Sequence, residues 1–276
     1  MPFARASCPV KSSVLITGAS SGIGAATAER LLRRGFEVYG TSRDPDSVGP
    51  SSPDVHWIAM DVCSDESVRA GFAQIADRAK PLDAVVCNAG FGVFGSVEEV
   101  ELESAQAQFD TNFFGTLRTL RAAIPAMREV RRGRIVIVSS LAAHAPIPFQ
   151  AHYSATKGAV DALGLALRNE LHSFGVAVSL VEPGDINTGF NDATGFGDHS
   201  RSPYGERIRR CREVIEESFP KAPGPEVVAQ TIERALTARR PRVRYPVGPD
   251  SFGVPFGKRF LPDSLFLRLI RAHFKI

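Results

Sequence analysis

A regular alternation of short apolar runs with longer segments of helical periodicity constrains the fold of this chain most strongly. Seven runs have strand length and are mostly apolar or β-branched: 14–17, 37–41, 55–60, 84–87, 134–138, 176–181 and 243–247. Helical patterns separate them, at about 22–34, 65–79, 103–130, 153–174 and 225–238. Such alternation is typical of repeated βαβ units and predicts one doubly wound α/β domain with a seven-stranded parallel sheet.

Composition agrees with a single domain over residues 1–276 and excludes several classes of protein. With 43% hydrophobic and 23% charged residues, the chain is neither disordered nor fibrous. No apolar run reaches the ~18 residues of a membrane span, and residues 1–11 lack the apolar stretch of a secretory signal, so we expect a cytoplasmic protein. The four cysteines and six histidines show no metal-ligand spacing, so no metal is predicted.

One segment departs from the alternation, and the C-terminal part of the chain is basic. Residues 186–224 mix Gly, Pro, Asn and Asp with aromatic residues, and they predict a substrate-binding insertion with a short helix near 204–217, or else a surface loop. Residues 201–276 carry 16 Lys/Arg against 8 Asp/Glu, whereas residues 1–200 carry 17 against 22. The basic charges alternate with acidic and apolar residues, which favours a solvated surface over a site for nucleic acid, an anionic membrane or a phosphorylated ligand.

A glycine-rich turn follows the first predicted strand and opens the first predicted helix. Its glycines are spaced G-x-x-x-G-x-G, and no Gly-Lys-Ser/Thr follows, which excludes a P-loop. Glycine permits tight turns and close approach of the backbone to a diphosphate, which then lies at the positive end of the helix dipole. The turn predicts a dinucleotide site formed by Gly18, Ser20, Ser21, Gly22, Ile23 and Gly24.

The end of the second predicted strand indicates which dinucleotide is bound. An acidic residue there would bond the ribose hydroxyls of NAD, whereas an arginine accommodates the 2′-phosphate of NADP. The strand ends in Thr41-Ser42-Arg43, with no acidic residue before Asp44. Arg43 therefore predicts a preference for NADP(H), unless it is an ordinary exposed arginine.

Tyr153 and Lys157 lie one helical turn apart, so the phenol and the ammonium share a helix face. A neighbouring cation favours the phenolate, which suits Tyr153 as an acid or base. Ser140 ends the strand before this helix and can donate to a carbonyl oxygen at the sheet's carboxyl edge. Ser139 is the alternative, although adjacent strand residues point to opposite faces.

Together these motifs resemble the short-chain dehydrogenase/reductase family over nearly the whole chain, and the resemblance implies a Rossmann-type fold. It implies that Tyr153 exchanges the proton, Lys157 lowers the pKa of Tyr153 and holds the nicotinamide ribose, and Ser140 orients the substrate. Asn112 would complete a water-linked proton relay. Further cofactor contacts would come from Asp61, Val62, Asn88, Ala89, Gly90, Pro183, Gly184, Ile186 and Thr188.

Segments 40–44 and 88–92 and the spacing from Ser140 to Tyr153 resemble the branch with 17β-hydroxysteroid and retinol dehydrogenases. An apolar pocket predicted beside these segments suits a lipophilic alcohol or carbonyl substrate. The predicted pocket residues, some of which could instead fill the core, are Phe91, Phe94, Ile147, Phe149, Phe190 and Phe196. Residues 263–276 predict an amphipathic helix that packs on the domain or a partner subunit, or that touches a membrane.

The resemblance implies a homodimer or homotetramer through the helices at 103–130 and 153–174. The alternative function, a non-catalytic dinucleotide-binding regulator on the same fold, is disfavoured because Asn112, Ser140, Tyr153 and Lys157 are all present.

Overall fold

The structure of the protein is a computed structural model. It describes residues 12–48, 54–78, 81–189, 195–196 and 201–276, with only the backbone for 195–196. Phe190, one of the predicted pocket residues, lies outside the described part, and nothing is described of the Phe196 side chain.

Seven of the nine strands in the described residues form one parallel sheet in the order β3-β2-β1-β4-β6-β7-β9, and the other two, β5 and β8, pair with each other. The predicted doubly wound, seven-stranded sheet is confirmed. The strands are β1 (Ser13–Ile16), β2 (Glu37–Ser42), β3 (His56–Ala59), β4 (Ala84–Cys87), β5 (Val93–Phe94), β6 (Gly133–Val138), β7 (Val176–Pro183), β8 (Gly195–Phe196) and β9 (Arg244–Val247).

Helices cover both faces of the sheet. Those of the described residues are α1 (Gly22–Arg33), α2 (Asp65–Ala76), α3 (Leu102–Phe109), α4 (Gly115–Glu129), α5 (Ala151–Glu170), α6 (Gly205–Ser218), α7 (Glu226–Thr237), α8 (Gly253–Phe260) and α9 (Asp263–His273). Alternate residues of β1 enter different cores: Leu15 packs with α2, α4 and α5, whereas Val14 and Ile16 pack with α1 and α7. This period of two is what a sheet buried on both faces requires.

The crevice that receives ligands in such folds lies between β1 and β4. The strand order reverses there, so the connections after the two strands leave to opposite faces of the sheet. The turn after β1 and the loop after β4 therefore line one crevice from its two sides.

Three features differ from the predicted elements. A π-helical turn, Asp110–Phe114, joins α3 to α4 within the predicted 103–130 helix. The pairing of β5 with β8 and the helix α8 were not predicted. The sequence did not indicate α8 because Gly253, Pro255 and Gly257 have low helix propensity. The helix predicted in the insertion is confirmed as α6. Across the described ranges, no helix combines the length and the apolar character needed to traverse a bilayer.

Candidate active site

The turn after β1 is built as tightly as its glycines suggest. Gly18 and Gly22 have positive φ angles of 64° and 52°, which side chains other than glycine adopt rarely. A Cβ atom at Gly24 would lie 2.1 Å from the carbonyl oxygen of Gly18. Because α1 begins at Gly22, the free N–H groups of its first turn face the crevice, and this arrangement fits a diphosphate.

The first residues after β1 and β4, Thr17 and Asn88, hold this turn against the loop after β4. The Asn88 amide Nδ2 donates to the carbonyl oxygens of Thr17 and Gly18, at 3.0 and 3.1 Å. The Thr17 hydroxyl accepts the backbone N–H groups of Asn88 and Ala89, at 2.9 and 3.1 Å. The sequence prediction did not include Thr17 as a site residue, although its position as the first polar residue after an apolar strand was a usable signal.

Arg43 follows directly on β2, is exposed, and lines the same cavity as Ser20 and Ser21. The neighbouring Ser42 hydroxyl accepts the Asp44 N–H at 3.2 Å, which closes a short turn just after the strand. One end of the cavity therefore presents a guanidinium and two hydroxyls beside the glycine turn. That donor set fits the phosphates of a dinucleotide.

The remaining predicted cofactor residues fall on neighbouring loops. Asp61 accepts the Cys63 N–H through Oδ1 at 2.9 Å, which shapes the turn after β3, and both Asp61 and Val62 line the cavity. Gly90 follows β4, where a Cβ would lie 3.0 Å from the Asn112 Oδ1 atom. The loop after β7 also lines the cavity, through Pro183, Gly184, Ile186 and Thr188.

Ser140 and Tyr153 meet at the carboxyl edge of the sheet. Their hydroxyls are hydrogen-bonded, and the Ser140 Oγ atom also donates to the Pro183 carbonyl oxygen at 3.3 Å and accepts the Ala142 N–H at 3.1 Å. The Ser139 hydroxyl donates instead to the carbonyl oxygen of Lys157 at 3.3 Å. Of the two serines left open by the sequence, Ser140 is thus the partner of Tyr153.

Lys157 is buried beneath the tyrosine. Its Nζ atom donates to the Val138 carbonyl oxygen at 2.9 Å and lies 5.7 Å from the centre of the Tyr153 ring. Burial lowers the pKa of Lys157 from 10.5 to about 8, because an ammonium is poorly solvated there.

The expected lowering of the Tyr153 pKa is not what the structure gives. Burial raises the pKa of Tyr153 from 10.0 to about 12, against a smaller lowering by its hydrogen bond with Ser140. The physical reason is that desolvation of the phenolate outweighs that bond, while the Lys157 ammonium is directed at the Val138 carbonyl oxygen.

Asn112 lies in the π-helical turn, behind the cavity wall. Its Nδ2 group donates to the Phe91 carbonyl oxygen and to the Thr156 hydroxyl, both at 3.0 Å, and its Oδ1 atom accepts the Phe91 N–H at 3.0 Å. Both amide hydrogens are therefore used to tie the loop after β4 to α5. Asn112 is thereby bonded to Thr156, the residue directly before Lys157 on α5. A proton relay through Asn112 stays a prediction.

One cavity of about 1230 Å³ joins these groups. It runs from the glycine turn and Arg43, past Ser140, Tyr153 and Lys157, to an end lined mainly by apolar side chains. Those side chains include Val214 and Ile215 of α6, Phe256 of α8, and Phe266, Leu269 and Ile270 of α9. Three helices after β7 thus form most of the apolar wall.

The predicted aromatic pocket needs a correction. Phe91 and Ile147 line the cavity, but Phe94 and Phe149 do not. Their rings lie 6.2 Å apart and pack with Ile208 of α6 in a small cluster. That cluster shares Ile215 and Phe274 with the cavity wall. The apolar face of the predicted C-terminal helix could have indicated the apolar wall of the cavity. Its positions 266, 269, 270 and 274 all line the cavity.

Next to the site lies a partly buried charged cluster that no sequence pattern indicated. The Arg244 guanidinium Nη1 lies 2.6 Å from Asp161 and 3.0 Å from His144, and it also bonds Glu182. Among the described residues, His144, Asp161 and Glu182 are the side chains grouped closely enough to hold a metal ion. Because a guanidinium already lies among them, they form an ion-pair network that joins α5, β7 and β9.

Comparison with known proteins places these features in a family. A family model described as short chain dehydrogenase matches residues 12–196. A 3-ketodihydrosphingosine reductase of Bacteroides thetaiotaomicron is 36% identical over 268 residues, covering 95% of this chain and 98% of that protein. Estradiol 17-beta-dehydrogenase 1 of Rattus norvegicus is 34% identical over 250 residues, covering 84% of this chain and 72% of that protein.

Solved structures agree over almost the full length. A short-chain dehydrogenase from Streptomyces avermitilis superposes with a TM-score of 0.83 at 30% identity, covering 94% of this chain and 95% of that one. A short chain dehydrogenase from Burkholderia cenocepacia, in complex with NADP, gives a TM-score of 0.76 at 26% identity, covering 94% and 97%. The chain belongs to the short-chain dehydrogenase/reductase family and is an NAD(P)-dependent oxidoreductase.

Proposed function

We propose that the protein interconverts a hydroxyl and a carbonyl group on a lipophilic small molecule, with NADP(H) as hydride carrier and Tyr153 as acid or base. One observation carries the proposal. The hydrogen-bonded hydroxyls of Tyr153 and Ser140 lie in the middle of a cavity that has a cationic, glycine-lined end and an apolar end. Such a cavity suits a dinucleotide on one side of the reacting carbon and an apolar substrate on the other.

A bound dinucleotide would supply or accept the hydride. In reduction, Ser140 would donate a hydrogen bond to the substrate oxygen while the Tyr153 hydroxyl transfers its proton. The positive charge of Lys157 would stabilise the phenolate left on Tyr153. Burial raises the pKa of Tyr153, so the hydroxyl carries its proton at neutral pH, and reduction needs the phenol in that form. Alcohol oxidation needs the phenolate, so its rate is expected to increase with pH.

The preference for NADP(H) rests on Arg43 and on the absence of a carboxylate at the last residue of β2, which is Ser42. A charge-assisted hydrogen bond is worth ~1.5 to 3 kcal/mol, which corresponds to at least about tenfold in affinity. The Burkholderia cenocepacia relative, which binds NADP in its crystal structure, agrees with this choice.

The substrate class rests on the apolar end of the cavity. The side chains of α8 and α9 that face it offer few polar atoms, so binding energy would come mainly from burial of apolar surface. The names of the two curated relatives, a ketodihydrosphingosine reductase and an estradiol dehydrogenase, both denote lipophilic substrates.

Titration of the protein with NADPH and NADH tests the cofactor assignment. NADPH should bind at least about tenfold more tightly, and Arg43→Ala should remove most of that difference. Arg69→Ala, an exposed arginine on α2, is the matched control and should change neither affinity. Ser42→Asp combined with Arg43→Ala should reverse the preference, because a carboxylate repels the phosphate. Equal affinity of the unaltered protein for the two cofactors would contradict the role of Arg43.

A series of ketones with increasing alkyl length tests the substrate class. Each further buried methylene contributes ~0.8 kcal/mol, so kcat/KM should rise about fourfold per methylene until the cavity is filled. Steroid and sphingoid-type ketones, assayed in detergent micelles, extend the series to bulky and long substrates. Equal kcat/KM for acetone and for long ketones would contradict a lipophilic substrate.

A further inference from the structure

The helices α8 and α9 expose an unusual amount of apolar surface. Of the eleven large apolar side chains that are exposed among the described residues, six lie between positions 252 and 269. We name five of them the apolar patch: Phe252, Phe256, Phe260, Leu265 and Leu269. Exposure of single large apolar side chains is ordinary, whereas a contiguous group marks a surface that something covers.

The aromatic part of the patch is continuous along α8. Phe252, Phe256 and Phe260 follow one another at intervals of four, and their ring centres are 5.9 and 4.8 Å apart. Phe252 is 79% exposed and Phe260 is 62% exposed, so neither ring is needed to fill the protein interior. The two helices are held together beneath the patch by Phe266, which is buried against Gly257.

The charge around the patch favours an anionic partner. Residues 252–276 contain five Lys/Arg and one acidic residue, Asp263. Arg259 lies over the Phe260 ring at 5.7 Å from its centre, and Arg268 and Arg271 are exposed on α9. Aromatic and leucine side chains with cations at their edge are the composition of helices that lie in the interface of an anionic bilayer.

The patch is also continuous with the substrate cavity. Phe256 of α8 and Leu269 of α9 line the cavity and are still 52% and 51% exposed. Two residues of the patch therefore belong to the cavity wall, so the patch adjoins the cavity at Phe256 and Leu269. A second copy of the chain seated on the patch would cover these residues with protein, whereas a bilayer would place them against the hydrocarbon region.

We propose that α8 and α9 dock on anionic lipid bilayers through the apolar patch and its cations, so that a lipophilic substrate passes between bilayer and cavity without crossing water. The docking part is independent of the proposed function. The transfer part rests on it, because it presumes a lipophilic substrate.

Flotation of the full-length protein with extruded vesicles tests docking without any substrate. The protein should float with phosphatidylcholine/phosphatidylglycerol vesicles at 7:3, less with phosphatidylcholine alone, and should be released in 1 M NaCl, where screening is nearly complete. Phe252→Ser with Phe260→Ser should weaken binding at least about tenfold, since two exposed rings are lost. Phe252→Leu with Phe260→Leu should retain most of it. Neither position lines the cavity.

A matched control removes similar apolar surface elsewhere. Val97 and Leu102 are 67% and 66% exposed and lie outside the C-terminal helices, so Val97→Ser with Leu102→Ser should leave vesicle binding unchanged. Arg268→Ser with Arg271→Ser should weaken binding to the anionic vesicles, whereas Arg69→Ser with Arg78→Ser should not.

Two outcomes would overturn docking: failure of the unaltered protein to float with the anionic vesicles, or equal flotation of the Phe252→Ser, Phe260→Ser variant. The second outcome can be accompanied by a lower oligomeric mass of that variant. In that case the patch is a contact between copies. Turnover of a lipophilic ketone in detergent micelles tests the proposed function independently of docking on bilayers. If turnover is absent there while flotation follows the patch, the proposed function fails and docking stands.

Discussion

Lys157→Met should make the fold more stable while it removes turnover. Lys157 is 6% exposed, and burial lowers its pKa from 10.5 to about 8. At 1.36 kcal/mol per pH unit, the charged side chain costs the folded state roughly 3 kcal/mol at pH 7. Methionine has a similar shape and carries no charge, although the bond to the Val138 carbonyl oxygen is lost. The net gain should be about 1 to 3 kcal/mol.

The stability difference between Lys157→Met and the unaltered protein should depend on pH. A lysine whose pKa is lowered on folding binds its proton less well in the folded state, so its unfavourable contribution is complete below pH 8. It fades as the pH rises from about 8 to 10.5. The stability advantage of Lys157→Met should therefore shrink by roughly 2 kcal/mol between pH 7 and pH 9.5.

Urea unfolding of the unaltered protein and the variant, at several pH values from 7 to 9.5, measures this difference. The other titrating groups are common to both proteins and largely cancel. Lys221→Met, at an exposed lysine, is the control and should stay within about 0.5 kcal/mol at every pH. A stability difference between Lys157→Met and the unaltered protein that does not change with pH would refute the reasoning.

Two further variants test the turn and the charged cluster. Gly24→Ala should lower the free energy of unfolding by at least about 2 kcal/mol and weaken NADPH binding, because the added Cβ would lie 2.1 Å from the carbonyl oxygen of Gly18. Gly158→Ala should instead raise the free energy of unfolding by about 0.4–1 kcal/mol, because no atom lies within 4 Å of the added Cβ. Thermal melting of both checks this, and an unchanged melt for Gly24→Ala would contradict the described packing. Arg244→Met should destabilise by roughly 3 kcal/mol in urea unfolding, less when combined with Glu182→Gln, since it leaves buried carboxylates without their cation. Equal stability of Arg244→Met and the unaltered protein would show that the cluster does not depend on the guanidinium.

The sheet and the dinucleotide end of the cavity could be predicted from the sequence because local patterns encode them. Each buried strand is a short apolar run, and the turn at Gly18 to Gly24 requires glycine for reasons of backbone geometry alone. Tyr153 and Lys157 share a face because one helix carries both. None of these inferences needs to know which distant segments touch.

The apolar end could not be predicted in the same way because distant contacts decide it. Phe94 and Phe149 looked suited to a pocket, but they pack against α6 in a cluster that shares Ile215 and Phe274 with the cavity wall. The helix α8 has a weak local signal, since Gly253 and Gly257 reduce helix propensity. It is stabilised by packing of Gly257 against Phe266, a contact that no local pattern reports.

The central claim is that Tyr153 supplies the proton, and single-turnover reduction of a lipophilic ketone by Tyr153→Phe tests it most directly. Phenylalanine keeps the ring and removes the hydroxyl that bonds Ser140. The hydride-transfer rate, followed by loss of NADPH absorbance, should fall by about 10²–10⁴-fold while the Kd for NADPH changes less than about threefold. A rate within about tenfold of the unaltered protein, with NADPH still bound, would contradict the account.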